Sequence, residues 1–193
     1  MKQDIILAGV GGQGILSIAY VIDNAALKKG LRFKQAEVHG MAQRGGAVQS
    51  HLRLSSEPIF SDLIPKGEAD MILSVEPLET LRYIDYLSPE GVIVTSTSPF
   101  VNIPDYPQLG NVLAEIKAAK RCVMVDAEKL AKEAGFARSQ NMVMLGAASP
   151  FLALEEDHLK EYIRTLFGRR GEKVLDINLR AFRLGRDAAA SSL

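Results

Sequence analysis

The chain has 193 residues, enough to bury a full hydrophobic core without a disulfide or a structural metal. Lysine plus arginine equals aspartate plus glutamate, 23 each, so net charge gives no general attraction for nucleic acid or an acidic membrane. No run approaches the roughly 18 apolar residues of a membrane span, and the N-terminus lacks a secretory signal pattern, so a cytoplasmic protein is expected.

Residues 2–8 read as a short buried strand, followed at once by Gly9-Val10-Gly11-Gly12-Gln13-Gly14. A helix over 15–29 comes next, closed by Lys28-Lys29-Gly30, since cations and a glycine both favour a helix C-terminus. Residues 31–38 alternate apolar and polar and predict a second strand. Strand, helix and strand make a βαβ unit, so the first two strands are expected to be parallel. A glycine-containing loop over 39–46 leads to a third alternating stretch, 47–54. No crossover helix precedes that stretch, so it is expected antiparallel to a neighbour or on an edge.

Residues 69–75 predict a buried strand, and Glu76-Pro77 a helix start running to about Leu87. Ser88-Pro89-Glu90-Gly91 is expected to turn the chain into a strand over 92–95. Residues 96–110 carry Pro99, Pro104 and Pro107 and predict a long irregular loop, which either contacts a partner or caps the fold. A helix over 111–120, a strand over 121–125, and a helix over 127–134 capped by Asp126 and stopped by Gly135 follow. Residues 141–153 read as a buried small-residue helix broken at Pro150, and 156–167 and 171–186 as further helices. Residues 1–187 are expected to form one domain, and 188–193 a frayed tail. Strands alternating with helices predict an α/β fold: three αβα layers, Rossmann-like, around a mixed, mostly parallel sheet.

Strand, glycine turn and helix, in that order, aim free backbone N–H groups and the positive end of a helix dipole at one point, where an anion binds. Gly9, Gly11 and Gly14 also satisfy G-x-G-x-x-G, which points to a dinucleotide. A glycine turn that only packs a helix tightly against a strand has the same pattern. A dinucleotide site wants an acid about 20 residues further on. Glu37 stands there, either in that role or as an outward-facing strand carboxylate.

The second constellation is His39-Gly40-Met41-Ala42-Gln43-Arg44-Gly45-Gly46, expected to emerge beside the first turn. Its arginine, flanked by glycines, suits a phosphate or carboxylate, or else is solvated on an exposed loop. His39 reads as a hydrogen-bonding loop residue, since no Ser, Asp or Cys beside it suggests a triad. His39, His51 and His158 have no metal-ligand spacing, and the one cysteine, Cys122, reads as a buried inert thiol.

These two motifs, with Ala69-Asp70, Asn141-Met142-Val143-Met144-Leu145-Gly146-Ala147 and Asn178-Leu179-Arg180-Ala181-Phe182-Arg183-Leu184-Gly185, resemble the gamma-type domain of 2-oxoacid:ferredoxin oxidoreductases over nearly the whole chain. The His-Gly-Met-Ala-Gln-Arg-Gly-Gly form is most similar to the smaller subunit of the indolepyruvate-type members. The resemblance implies oxidative decarboxylation of an arylpyruvate to an acyl-CoA, with electrons passed to ferredoxin. It implies that the chain alone holds no cofactor and has no catalytic residue of its own. Coenzyme A would lie at a shared site, with thiamine diphosphate, Mg and iron–sulfur clusters on a larger partner subunit. Carried over by position, Gly9, Gly11, Gly12, Gln13 and Gly14 line the anion site. His39, Gly40, Met41, Gln43, Arg44, Gly45 and Gly46 shape the adjoining loop, and Asn141 begins a helix facing the same cleft. Two other readings stay open: a stand-alone NAD(P)-dependent dehydrogenase using Glu37, and a nucleotide-binding module.

Overall fold

The computed structural model describes residues 1–37, 45–119 and 121–191. Its described strands are β1 (Lys2–Val10), β2 (Arg32–Glu37), β3 (Ala47–Ser55), β4 (Ala69–Ser74), β5 (Leu87–Ser96) and β6 (Cys122–Val125). They form one sheet in the order β2-β3-β1-β4-β5-β6. β1, β4, β5 and β6 are mutually parallel, and β3 runs antiparallel to both its neighbours. The helices are α1 (Ile15–Lys28), α2 (Pro77–Arg82), α3 (Leu109–Lys117), α4 (Ala127–Ala134), α5 (Gln140–Ala148), α6 (Glu156–Phe167) and α7 (Glu172–Ala190). Alternate side chains of the central strands enter different cores, as strand geometry requires. Ile5 and Leu7 join a large core with residues of α1 and α4 to α7. Ile6 packs with Ile64 and Ile72, and Ile93 with Val112 and Ile116 of α3. The expected three-layer α/β architecture is therefore present, with most helices on one face.

The expected βαβ unit is present, with β3 inserted between its two strands. β2 does run in the direction of β1, because each is antiparallel to β3. The two are not neighbours, since β3 lies between them. β3 is antiparallel to its neighbours, as one of the two expected alternatives had it, and is no edge strand. It pairs with β1 from Lys2↔Ser55 to Val10↔Ala47, and with β2 only from Arg32↔Ser55 to Glu37↔Ser50. The longer ladder buries more backbone polar groups in satisfied pairs, which explains its place beside β1.

The polar side of β3 is covered as well. Arg53 donates to both carboxylate oxygens of the fully buried Asp4, at 2.9 and 3.0 Å, and to the carbonyls of Ser61 and Leu63. Those contacts draw the 56–68 connection over the sheet. His51 lies beneath it, its Nδ1 accepting the Ile64 N–H at 3.0 Å, and burial first, then nearby Arg53, lowers its pKa.

Four smaller differences have local causes. α2 ends at Arg82, and a 3₁₀ turn over Ile84–Tyr86 replaces the rest of the expected helix. Ser88-Pro89-Glu90-Gly91 is absorbed into β5, whose register against β4 slips between Ala69↔Leu87 and Met71↔Val92. Pro89 cannot donate to a ladder, so an irregular stretch is where it fits. Cys122 is half-buried rather than buried, packing beside the Ile93 cluster. α7 continues to Ala190, so residues 188–190 are helix rather than tail. Fully buried Ala189 prolongs the stripe of Ala181, Phe182 and Gly185.

Elsewhere local signals and structure agree. The Asp126 carboxylate accepts the Lys129 N–H at 2.9 Å to cap α4, and Gly135 ends that helix at φ +114°. Residues 141–148 of α5 are all buried. Among the described residues, no helix is long and apolar enough to cross a membrane.

Candidate functional site

The glycine turn leaves the carboxyl end of β1, where open α/β sheets place their ligands. Its shape comes from internal hydrogen bonds. The Gln13 N–H donates to the Val10 carbonyl at 3.0 Å, and the Val10 N–H donates back to Gln13 Oε1 at 2.7 Å. The Gln13 side chain is therefore a strut of the turn. Gly9 leaves room for it, since a Cβ there would stand 3.0 Å from Gln13 Oε1 and 2.9 Å from Ile15 Cδ1. Gly12, at φ +102°, faces open space.

α1 starts without a side-chain cap and without an acid in its first turn. Its first N–H groups, orphans of any helix start, therefore meet no side-chain acceptor among the described residues. Together with the dipole, that makes the turn attractive to an anion.

Gly14 is the N-cap of α1 at φ +81°. A Cβ on it would lie 2.5 Å from Asn141 Nδ2, which donates to the Gly14 carbonyl at 3.3 Å. Asn141 is buried, and its Oδ1 accepts the Met142 N–H at 3.0 Å. The structure thus brings Asn141 to the turn as a support. Gly14→Ala should cost about 1–3 kcal/mol, from left-handed backbone strain and displacement of the amide. Thermal unfolding that matches the wild type would contradict this.

The second glycine-rich loop meets the first through its end. The Gly11 N–H donates to the Gly46 carbonyl at 2.8 Å, and the Gly45 N–H to the Gly11 carbonyl at 3.1 Å. These bonds continue the β1–β3 ladder past Val10↔Ala47. β3, rather than β2, therefore puts the loops together. His39, Gly40, Met41, Gln43 and Arg44 lie outside the described residues. Glu37 is described, at the end of β2, two strand spacings or about 10 Å across the sheet from β1. That is one spacing further than a dinucleotide acid on an adjacent strand.

A cleft of about 620 Å³ opens beside the turn. Gly11, Gly12 and Gln13 form one wall, Ser98, Pro99 and Phe100 a second, and Glu128, Ala137, Arg138 and Gln140 a third. Arg138 is exposed and supplies a guanidinium. Glu128, on the same wall, is ion-paired with Lys132 at 2.5 Å. The second wall follows β5 and could be anticipated from the carboxyl-end rule. Arg138 sits in a short 3₁₀ turn, Ala137–Ser139, and carries no motif that sequence reading could use.

The second wall belongs to the proline-containing segment 97–108, whose polar groups are tied inward. Ser98 Oγ donates to Asp126 Oδ1 at 3.0 Å, and Asn102 Nδ2 to the Gly45 carbonyl at 2.7 Å. The Phe100 N–H and the Tyr106 hydroxyl both donate to Glu76 Oε1, at 3.3 and 2.5 Å. Burial, then that hydroxyl bond, holds the Tyr106 pKa well above the usual phenol range. The apolar side chains of the segment stay outside: Phe100, Val101 and Ile103 are 43, 68 and 41 % exposed. Its backbone caps the fold while its side chains remain open. Among the described residues, no group of three or more His, Cys, Asp or Glu could hold a metal ion.

The sequence matches the pyruvate ferredoxin/flavodoxin oxidoreductase family over residues 4–188. It is 40 % identical to the indolepyruvate oxidoreductase subunit IorB of Thermococcus kodakarensis, a match covering all of this chain and 99 % of that one. The fold superposes on the 2-oxoglutarate:ferredoxin oxidoreductase of Magnetococcus marinus, solved with 2-oxoglutarate, coenzyme A and succinyl-CoA bound. That match has a TM-score of 0.80 and 28 % identity, and covers 98 % of this chain but only 31 % of the other. The chain thus spans about a third of that longer polypeptide. The fold is also that of the keto/oxoacid ferredoxin oxidoreductase gamma subunit of Geobacter sulfurreducens PCA, with a TM-score of 0.72, 21 % identity and coverage of 98 and 99 %. A family match across nearly all of the chain, and a full-length relative well above 30 % identity, settle the assignment: this chain belongs to the pyruvate ferredoxin/flavodoxin oxidoreductase family.

Proposed function

We propose that this chain is the smaller, thiamine-free subunit of a cytoplasmic indolepyruvate- or arylpyruvate:ferredoxin oxidoreductase. In that reaction the 2-oxoacid and coenzyme A give an arylacetyl-CoA, carbon dioxide and a proton, and two electrons pass to ferredoxin. The observation that carries the reading is the 40 % identity, across the whole chain, to a subunit named for indolepyruvate. The larger subunit supplies thiamine diphosphate, Mg and the iron–sulfur clusters. One cysteine cannot furnish the thiolates of a cluster, which is consistent with clusters held elsewhere.

The cleft fits a part for this chain in holding coenzyme A. Orphan N–H groups at the start of α1 and the open side of Gly12 suit a phosphate of the coenzyme. The sequence of the adjoining loop contributes Arg44, a residue type suited to a charge-assisted bond with phosphate. Backbone N–H groups and a guanidinium suit binding and orientation of the coenzyme, the work assigned here to this chain. β3, inserted between β1 and β2, counts against the dehydrogenase reading because it carries Glu37 away from the turn.

Co-expression with the larger subunit tests the assignment. The complex should reduce ferredoxin with indolepyruvate only when coenzyme A is present, and this chain alone should not. Arg44→Ala should lower kcat/KM for coenzyme A by roughly ten- to a hundredfold, the loss of one charge-assisted bond. Turnover by the isolated chain, or full activity of the larger subunit without it, would end the proposal.

A further inference from the structure

Residues 97–108 form a wall of the cleft without a helix or strand of their own. A buried carboxylate governs their position. Glu76 directly follows Val75 at the carboxyl end of β4 and is 1 % exposed. Its Oε2 accepts the Glu79 N–H at 2.8 Å and caps α2. Short residues are preferred at such caps, so a glutamate is an unusual choice. Its second oxygen gives the reason. Oε1 reaches the 97–108 segment and accepts both the Phe100 N–H and the Tyr106 hydroxyl. From there Asn102 extends the contact to the Gly45 carbonyl, and Gly45 and Gly46 bond Gly11. One carboxylate therefore links the end of β4, a wall of the cleft and both glycine-rich loops.

We propose that Glu76 is a positioning residue for coenzyme A use: through Tyr106 and Phe100 it holds the 97–108 wall opposite the glycine turn. The proposal rests on the reading of this cleft as the coenzyme A site. Glu76 touches no ligand in this role and acts through the segment it ties down.

Tyr106→Phe tests it without disturbing the α2 cap, and Glu76→Gln removes the charge. In the full chain, amide exchange across residues 98–103 should accelerate about tenfold in Tyr106→Phe, as expected for loss of a bond to a charged group. The melting temperature of that variant should stay within about 2 °C of the wild type, because the segment opens locally. In the complex with the larger subunit, both variants should raise KM for coenzyme A about tenfold and leave kcat within about twofold, the pattern of lost ground-state binding. Unchanged exchange in Tyr106→Phe would overturn the tie itself. Faster exchange with an unchanged KM would overturn the assignment of the cleft to coenzyme A, and the positioning role with it. A melting-temperature loss in Glu76→Gln alone, with Tyr106→Phe silent in exchange and KM, would reduce Glu76 to a helix cap and overturn the proposal.

Discussion

Gly146→Ala should destabilise the chain by about 3–5 kcal/mol, and Gly185→Ala by a similar amount. In an ordinary helix interior the same change stabilises by up to about 1 kcal/mol. Here the sign reverses because α5 and α7 cross backbone to backbone. A Cβ on Gly146 would stand 1.9 Å from the Phe182 carbonyl oxygen, and one on Gly185 would stand 1.9 Å from the Val143 carbonyl oxygen. The crossing is reciprocal, each glycine lying against the carbonyl three residues before the other. Neither obstacle is a side chain that can swing aside. Residues 141–148 are buried throughout, so α5 cannot retreat without opening the core around Met142, Met144 and Leu145. Separating the helices forfeits their close packing and any Cα–H to carbonyl contacts. Urea unfolding of both variants is the measurement. Gly110→Ala is the control: its Cβ meets nothing within 4 Å, and the variant should be equal to or slightly more stable than the wild type. Wild-type stability in Gly146→Ala would show that the crossing can relax.

A second large effect should appear on changing pH. Asp23, on the inner part of α1, is 5 % exposed, and its Oδ1 has no hydrogen-bond partner among the described residues. Burial raises its pKa from 3.8 to about 7. In the unfolded chain the carboxyl ionises at its usual low pH, while in the fold it keeps its proton until near neutrality. Below about pH 4 both states are protonated and no penalty exists. As pH rises from about 4 to 7, the unfolded state is favoured by ionisation that the folded state resists, so stability falls. Above about pH 7 the loss is complete, at about 4 kcal/mol. Asp23→Asn should remove this slope, gaining little at pH 4 and several kcal/mol at pH 8. Denaturant unfolding at those two pH values checks it, and parallel profiles for variant and wild type would refute the buried-acid account.

The elements most legible in the chain were those whose signals are local. Helix α6 occupies the bounds its amphipathic stripe predicts, Glu156–Phe167, and α4 lies between an aspartate cap and a glycine stop. The glycine turn could be read because strand, turn and helix are contiguous. Gln13 stood out by type, yet its role as a strut to the Val10 N–H is set by the folded shape of the turn. Gly146 and Gly185 were visible as parts of a family resemblance, but a motif does not reveal that each meets the other helix's carbonyl.

Periodicity, caps and turn chemistry within the chain settled the α/β class, most element positions and the glycine turn that leads into α1, because these depend on residues a few positions apart. The fold alone decided that β3 would displace β2 from β1, that Gly45 and Gly46 would bond Gly11, and that one oxygen of Glu76 would reach a segment 24 to 30 residues further on. Those outcomes follow from competition among distant partners for ladder bonds and buried acceptors. No stretch of sequence read in isolation contains that competition.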